Sequence, residues 1–188
     1  MGLRTPMFVV KDHGFHVLDY LLKVPLIFMG ENTFRKNRVI QDQVKQVDIS
    51  PTLIDVLELT TSENVQSHGR SLLPLIKGEK LEEVPAYCEA VGGGKFDRRK
   101  LFVGIRTSRY KFVYAPYNKD IPEELYDLWN DPEEKKNIRK MQTQLAEELR
   151  QKIISVQAQK LGRRTLVQRM SREEEEKIQE RLRDLGYM

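Results

Sequence analysis

The sequence predicts an α/β chain that ends in a small antiparallel sheet and C-terminal helices, and three features carry that expectation. Over the first 80 residues, short apolar runs at Met7 to Val10 and Leu26 to Met29 alternate with segments of helical spacing. From Val84 to Leu128 the texture changes to short runs rich in β-branched and aromatic residues, separated by turn signals. Beyond residue 140 the pattern is helical again. This divides the chain into an α/β portion at 1–80, a small antiparallel β subdomain at 81–140 and C-terminal helices at 141–188.

Met7 to Val10 reads as a strand that delivers Asp12-His13-Gly14 to a turn. An acid, an imidazole and a glycine at a strand end can hold a divalent ion or an anionic substrate, because the glycine lets the backbone turn while the side chains converge. Asp12-His13-Gly14 is equally compatible with an ordinary polar turn. His16 to Lys23 carries apolar residues at 17, 18, 21 and 22, the spacing of one face of a short helix, and Val24-Pro25 ends it. Leu26 to Met29 then reads as a buried strand. Ser50-Pro51 is a helix start, with Ser50 as N-cap, and Leu53, Ile54 and Leu57 are expected on the buried face.

Residues 60–71 form a polar loop containing His68-Gly69-Arg70-Ser71, followed by a short apolar turn from Leu72 to Ile76. Val84 to Val91 reads as a strand, and Gly92-Gly93-Gly94 as a flexible connection, since no Lys-Ser/Thr pair and no helix follow it as in a phosphate loop. Leu101 to Arg106 and Tyr110 to Ala115 are expected to pair as a hairpin across Thr107-Ser108-Arg109, with Glu124 to Leu128 as a third strand. Asn130-Asp131-Pro132-Glu133-Glu134 has the polar, proline and acid order of a helix start. Leu145, Leu149, Ile153 and Ile154 give the next segment one apolar stripe. The last helix begins with a capping box, Ser171 with Glu174, and stops at Gly186.

Composition narrows the function classes. The 188 residues are 39% hydrophobic and 32% charged, enough for one domain with a core and a highly charged surface. The net charge is +4, but basic residues alternate with acids, so no continuous phosphate-binding track is evident and nucleic-acid binding is not expected. No apolar run approaches the roughly 20 residues of a membrane helix, and no secretory signal is visible. Cys88 is the only cysteine, which excludes an internal disulfide and a cysteine-based zinc cage. A cytoplasmic location is the expectation.

The order of segments resembles the sulfatases, within the alkaline-phosphatase superfamily of metal-dependent hydrolases. The resemblance is carried by Asp12-His13-Gly14, the run from Asp19 to Phe28, Gln46 to Leu57, Gly69 to Gly78, Arg106 to Phe112, Glu124 to Glu133 and Arg181 to Tyr187. It implies the C-terminal part of an alkaline-phosphatase-like α/β domain, followed by a small antiparallel sheet packed with helices. It also implies hydrolysis of sulfate esters or, in relatives, of phosphate esters and phosphonates. In the family a formylglycine nucleophile attacks sulfur, a divalent cation stabilises the transferred group, and histidine or lysine assists the leaving oxygen. Calcium is the first expectation for that cation, with magnesium or manganese as alternatives.

The family nucleophile lies in a Cys/Ser-x-Pro/Ala-x-Arg motif well before the region matched here, and Cys88 is followed by Glu-Ala-Val-Gly instead. The resemblance therefore covers only the C-terminal part, without nucleophile, and implies no useful turnover by this chain alone. Two assignments stay open. Either Asp12 and His13 are metal ligands, or His13 is the later substrate-facing residue and the metal pair is missing. His16 is the remaining candidate for substrate contact. The expected partners are a sulfate-ester substrate once an N-terminal part completes the chain, and a second molecule at an exposed sheet edge. The alternative functions are a non-catalytic structural or interaction module and a self-contained hydrolase using Asp12, His13 and His16.

Overall fold

The computed structural model describes residues 14–30, 34, 38–60, 68–92, 97–164, 177, 179–181 and 183, with side chains through 159 in the helix that ends at 164. The chain divides into two compact units, Met1–Ile153 and Ile154–Met188. The expected strand at Met7 to Val10 lies outside the described residues, as do Ser171, Glu174 and Gly186 of the last helix. Residues 177, 179–181 and 183 of that helix are helical and exposed.

The centre of the first unit is an antiparallel sheet of four strands in the order β1-β2-β3-β4, with β1 Ala86–Ala90, β2 Phe102–Arg106, β3 Tyr110–Tyr114 and β4 Glu124–Asp127. Each strand falls within one residue or two of its expected position. β2 and β3 pair as the predicted hairpin, with Ile105 opposite Phe112 and Arg106 opposite Lys111. The turn is closed by Thr107, whose N–H and hydroxyl both donate to the Tyr110 carbonyl.

Because side chains alternate along each strand, the register sorts the residues onto two faces. Val103, Ile105, Phe112 and Leu125 form one face and pack on Ala146, Leu149 and Ile153 of the helix α4, Thr143–Arg164. That is the predicted stripe, except that Ile154 is exposed. Burying such side chains stabilises by about 1.5–3 kcal/mol each. The opposite face carries Cys88, Ala90, Phe102, Gly104, Arg106, Lys111, Val113, Glu124 and Tyr126, which the strand register places together. Val17 covers it, packed with Ala90 and Val113. A Cβ at Gly104 would stand 3.2 Å from Val17 Cγ2 and 3.0 Å from Cys88 Sγ, tighter than ordinary van der Waals contact, so glycine favours this close approach.

Several local expectations give way to tertiary structure. The helix expected over His16 to Lys23 is a single turn, α1 Asp19–Leu22, preceded by Leu18 in extended geometry, and residues 16–18 are not helical. Leu26 to Met29 pairs with no strand among the described residues and is not buried: Ile27 is 74% and Met29 88% exposed. An apolar run becomes a buried strand only beside another strand, and no strand among the described residues lies next to it.

The helix α2, Ile49–Val56, starts one residue before Ser50, with Asp48 at its N-cap and a short 3-10 turn at Gln46–Asp48 before it. Its buried residue is Thr52; of the expected apolar face Ile54 is half-buried, whereas Leu53 and Leu57 are exposed. The short apolar turn is α3, Leu73–Lys77, ended by Gly78 in the left-handed conformation. Residues 130–142 form turns, not the expected helix start. The Asp131 carboxylate accepts the N–H groups of Lys135 and Lys136, and Glu134 takes a φ of +55° that directs the chain out of helical geometry.

Candidate functional site

The segment from Gly14 to Leu22 is an arm laid along the second face of the sheet. Asp12 and His13, the predicted metal pair, lie immediately before it and outside the described residues. The arm is attached at its start by Gly14, φ +88°, whose carbonyl accepts the N–H of Gly92 at 2.8 Å. At its other end it is held by a cluster of charges that the sequence gives little sign of.

Lys111 is 0% exposed, the largest fully buried side chain of the protein's described part. Its Nζ donates to the Val17 carbonyl at 2.9 Å and to Asp19 Oδ1 at 2.6 Å, and pairs with Glu134 Oε1 at 2.5 Å. Asp19 is also gripped by Arg106, with Nε 2.9 Å from Oδ1 and Nη2 2.7 Å from Oδ2. Glu134 Oε2 accepts the Asp19 N–H at 2.6 Å, and Gln43 accepts from Arg106 Nη1 while its own amide donates to the Arg106 carbonyl. Burial by itself would raise the Asp19 carboxyl, but the hydrogen bonds from Arg106 and Lys111 outweigh it and hold the group at about 2. Buried charges persist only when paired and hydrogen-bonded in this way. The cluster is thus a clamp joining the arm to β2, β3 and the turn at 134.

His16 sits beside the clamp. Its ring lies 4.3 Å from that of Phe102, its Nε2 is 3.6 Å from Glu124 Oε2, and its Nδ1 is buried without a hydrogen-bond partner. Burial, reinforced by the nearby Lys111 ammonium, lowers the imidazole to about 4, so it is neutral at pH 7. Burial and the Glu134 charge push Glu124 up, although Tyr126 donates to it. Burial also raises Tyr126, together with the charge of Glu124.

A depressed histidine has a definite stability consequence. The unfolded chain binds a proton near pH 6.5 and the folded chain only near 4, so stability is complete above 6.5 and falls as the pH drops through that window. Allowing for partial solvent screening, the loss is about 2 kcal/mol. Urea unfolding at pH 7.5 and 4.5 should therefore show a larger decrease for the native chain than for His16→Gln. Equal decreases would assign the acid sensitivity to other groups. Asp19 acts in a lower window, its contribution disappearing as the pH falls from near 4 toward 2.

The described residues do not by themselves fit a divalent cation. Asp19 and Glu134 direct their oxygens at Lys111 and Arg106, and no three His, Cys, Asp or Glu side chains among the described residues converge to hold a metal ion. Burial pushes the Cys88 thiol up to about 11, which keeps it protonated and a poor nucleophile.

A second polar cluster joins the start of α2 to the Gly69-Arg70 turn. Asp48, almost fully buried, accepts the N–H of Lys45 at 2.9 Å and of Arg70 at 3.0 Å, while Thr52 Oγ1 accepts the Leu72 N–H at 2.9 Å. These bonds satisfy buried groups and give Asp48 a structural role.

Asp19, Arg106, Lys111 and Glu134 are absent from the predicted site. Lys111 stands between Tyr110 and Phe112 in a strand that alternates, where a charge ordinarily faces solvent. The one available signal was Arg106 and Lys111 falling on the same face of the predicted hairpin, with an acid at Asp19 in a segment too apolar to lie on the surface.

The family model described as N-sulphoglucosamine sulphohydrolase, C-terminal, matches residues 12–159. Delta 4,5-hexuronate-2-O-sulfatase of Bacteroides thetaiotaomicron is 28% identical over 74% of this chain and 28% of its own length. Arylsulfatase K of Gallus gallus is 30% identical over 72% of this chain and 28% of its own length. The chain thus spans little more than a quarter of either relative. A solved structure described as a complex with its substrate D-glucosamine-2-N,6-O-disulfate superposes with a TM-score of 0.48 at 28% identity, covering 60% of this chain and 23% of that one. No helix among the described residues is long and apolar enough to cross a membrane.

Proposed function

Since the chain belongs to the sulfatase family and corresponds to its C-terminal portion, we propose that it is the C-terminal part of a sulfate-ester hydrolase whose nucleophile is supplied by a preceding portion. The match over residues 12–159 carries this reading. In it, Asp12 and His13 are two ligands of a divalent cation, calcium first, which would stabilise charge on the transferred sulfate. His16 is the candidate for substrate contact. The clamp around Lys111 supports the assignment of Asp12 and His13 indirectly: it pins the arm that follows them in sequence and leaves none of its own acids free for catalysis. Sulfated sugars are the substrate class that the name of the Bacteroides relative supports. Phosphate esters and phosphonates are the alternative within the same superfamily.

The exposed apolar residues of the first unit support a covering partner. Val24, Ile27, Met29, Leu53, Leu57 and Leu59 are all exposed. Apolar exposure of this kind suits an interaction surface. The complementing sulfatase portion is the partner we assign to it.

A second reading, a non-catalytic interaction module, is favoured by the mutual pairing of Asp19, Glu134, Arg106 and Lys111, which leaves that cluster without a free acid or base. The reading frame upstream of Met1 distinguishes the two. An in-frame Cys/Ser-x-Pro/Ala-x-Arg segment supports the hydrolase, and a stop codon with no complementing frame nearby selects the module. On either reading the purified chain should hydrolyse aryl sulfates, aryl phosphates and phosphonate monoesters no faster than buffer does. Turnover that His13→Ala removes would overturn both and select the self-contained hydrolase.

A further inference from the structure

In the turn that follows β4, Trp129 is 68% exposed although it is the only tryptophan of the chain. Its surroundings are ordered to an unusual degree for an exposed ring. The Arg109 guanidinium lies over it at 5.1 Å from the centroid and over the Tyr110 ring at 4.9 Å. Asp127 fixes that guanidinium, with Oδ2 3.1 Å from Nη2 and Oδ1 3.4 Å from Nε. The same carboxylate accepts the main-chain N–H of Trp129 at 3.2 Å and the Asn130 side-chain amide at 2.9 Å, while the Leu128 main-chain N–H donates to the Arg109 carbonyl at 2.7 Å.

Exposing an indole in water is unfavourable, and here the ring and its cationic neighbour are held in place while the tryptophan stays 68% exposed. Asp127 uses the Nε and Nη2 edge of Arg109, so its Nη1 is left with no partner in the hydrogen bonds and ion pairs of the described structure. One side of the platform is therefore an aromatic face and the adjoining edge a pair of guanidinium N–H donors. The ligand chemistry that matches both is an acidic pyranose. The axial C–H groups of a sugar ring are apolar enough to lie on an indole, and a sulfate group accepts from a guanidinium edge with charge assistance. A preorganised aromatic and arginine pair also loses little conformational freedom on binding, which is where most weak saccharide sites fail.

We propose that Trp129 and Arg109 form a binding subsite for a sulfated oligosaccharide, separate from the Asp12-His13 turn. The ring supports one pyranose unit, and Arg109 Nη1 engages its sulfate. This surface requires neither metal nor nucleophile, so it binds in the chain as it stands. It extends the sulfated-sugar reading given above, but it does not depend on whether an upstream portion exists.

The single tryptophan makes the test direct. The full chain is titrated with a heparin-derived hexasaccharide in buffer of about 150 mM salt, where weak surface attraction is largely screened. Tryptophan emission is followed, and the same titration is repeated by calorimetry for Trp129→Ala and Arg109→Ala. The expected result is a saturable change in emission, with affinity reduced about tenfold or more in each variant. Neutral maltohexaose should produce no comparable change. Trp129 is exposed, so its replacement should leave the far-ultraviolet circular dichroism unaltered, and a loss of binding can be assigned to the platform. An absence of saturable emission change overturns the proposal. So does undiminished binding by Trp129→Ala, or equal binding of maltohexaose. None of these results bears on the upstream reading frame, which alone decides the hydrolase reading.

Discussion

Lys111→Met is expected to lower the unfolding free energy by about 3–5 kcal/mol, the cost of removing one partner from a buried ion cluster. The methionine fills much of the lysine volume, so packing against the sheet changes little and the loss is electrostatic. It leaves Glu134 with only the Asp19 N–H among its strong partners, and it removes the hydrogen bond to the Val17 carbonyl. Asp19 keeps its bonds to Arg106. Urea unfolding at neutral pH measures the loss. Adding Glu134→Gln, which removes the stranded charge, should restore part of it, because the penalty lies in the unpaired carboxylate and not in the missing ammonium. A loss below about 1 kcal/mol would put the cluster in the class of surface ion pairs. A second readout is the Gly92 amide, bonded to Gly14 at the start of the arm. Its hydrogen exchange should accelerate in Lys111→Met as the arm loosens.

Gly69→Ala should cost about 3 kcal/mol or more. A Cβ there would fall 1.9 Å from the Val47 carbonyl oxygen, 2.3 Å from its carbon and 2.7 Å from the Asp48 nitrogen. All three are backbone atoms at the entrance to α2, so no side-chain rotation relieves the clash and one of the two segments has to move. Moving either breaks the bonds from Arg70 to Asp48 and from Leu72 to Thr52. The expected outcome is a lowered thermal midpoint with faster exchange at the Arg70 and Leu72 amides. An unchanged midpoint would show that the Gly69 turn is not packed on Val47. Arg70→Ala makes an instructive contrast: it leaves the main-chain bond to Asp48 intact and should cost far less.

The difference between these two positions and the predicted site reflects what kinds of information neighbouring residues hold. Asp12-His13-Gly14 stood out because three chemically distinctive residues adjoin in sequence. The clamp did not, because its members are dispersed: Asp19 meets Arg106 and Lys111 across 87 and 92 positions. Thr107 and Tyr110 closed a hairpin whose alternation was already visible, since both partners of each ladder bond belong to one short run. Trp129 was legible as an aromatic residue, but the stacking of Arg109 on it requires the pairing of β3 with β4.

By itself the sequence determined the order and nearly the limits of β1 to β4, the apolar stripe of α4, the short turn at α3 and membership of a family of hydrolases. Each of these depends on local periodicity, or on motifs whose spacing is fixed by the chain. Tertiary structure alone decided that Lys111 is buried and Leu26 to Met29 is not. A lysine enters a core when acids from distant segments neutralise it, and an apolar strand is buried when a neighbouring strand is present to cover it. Glu134 shows the same competition within one residue: the local signal favours a helix, and the buried bond to Lys111 holds the backbone at a φ of +55° instead. Local propensities are worth a few tenths of a kcal/mol per residue, and a buried charge left unpaired costs several, so the distant partner prevails.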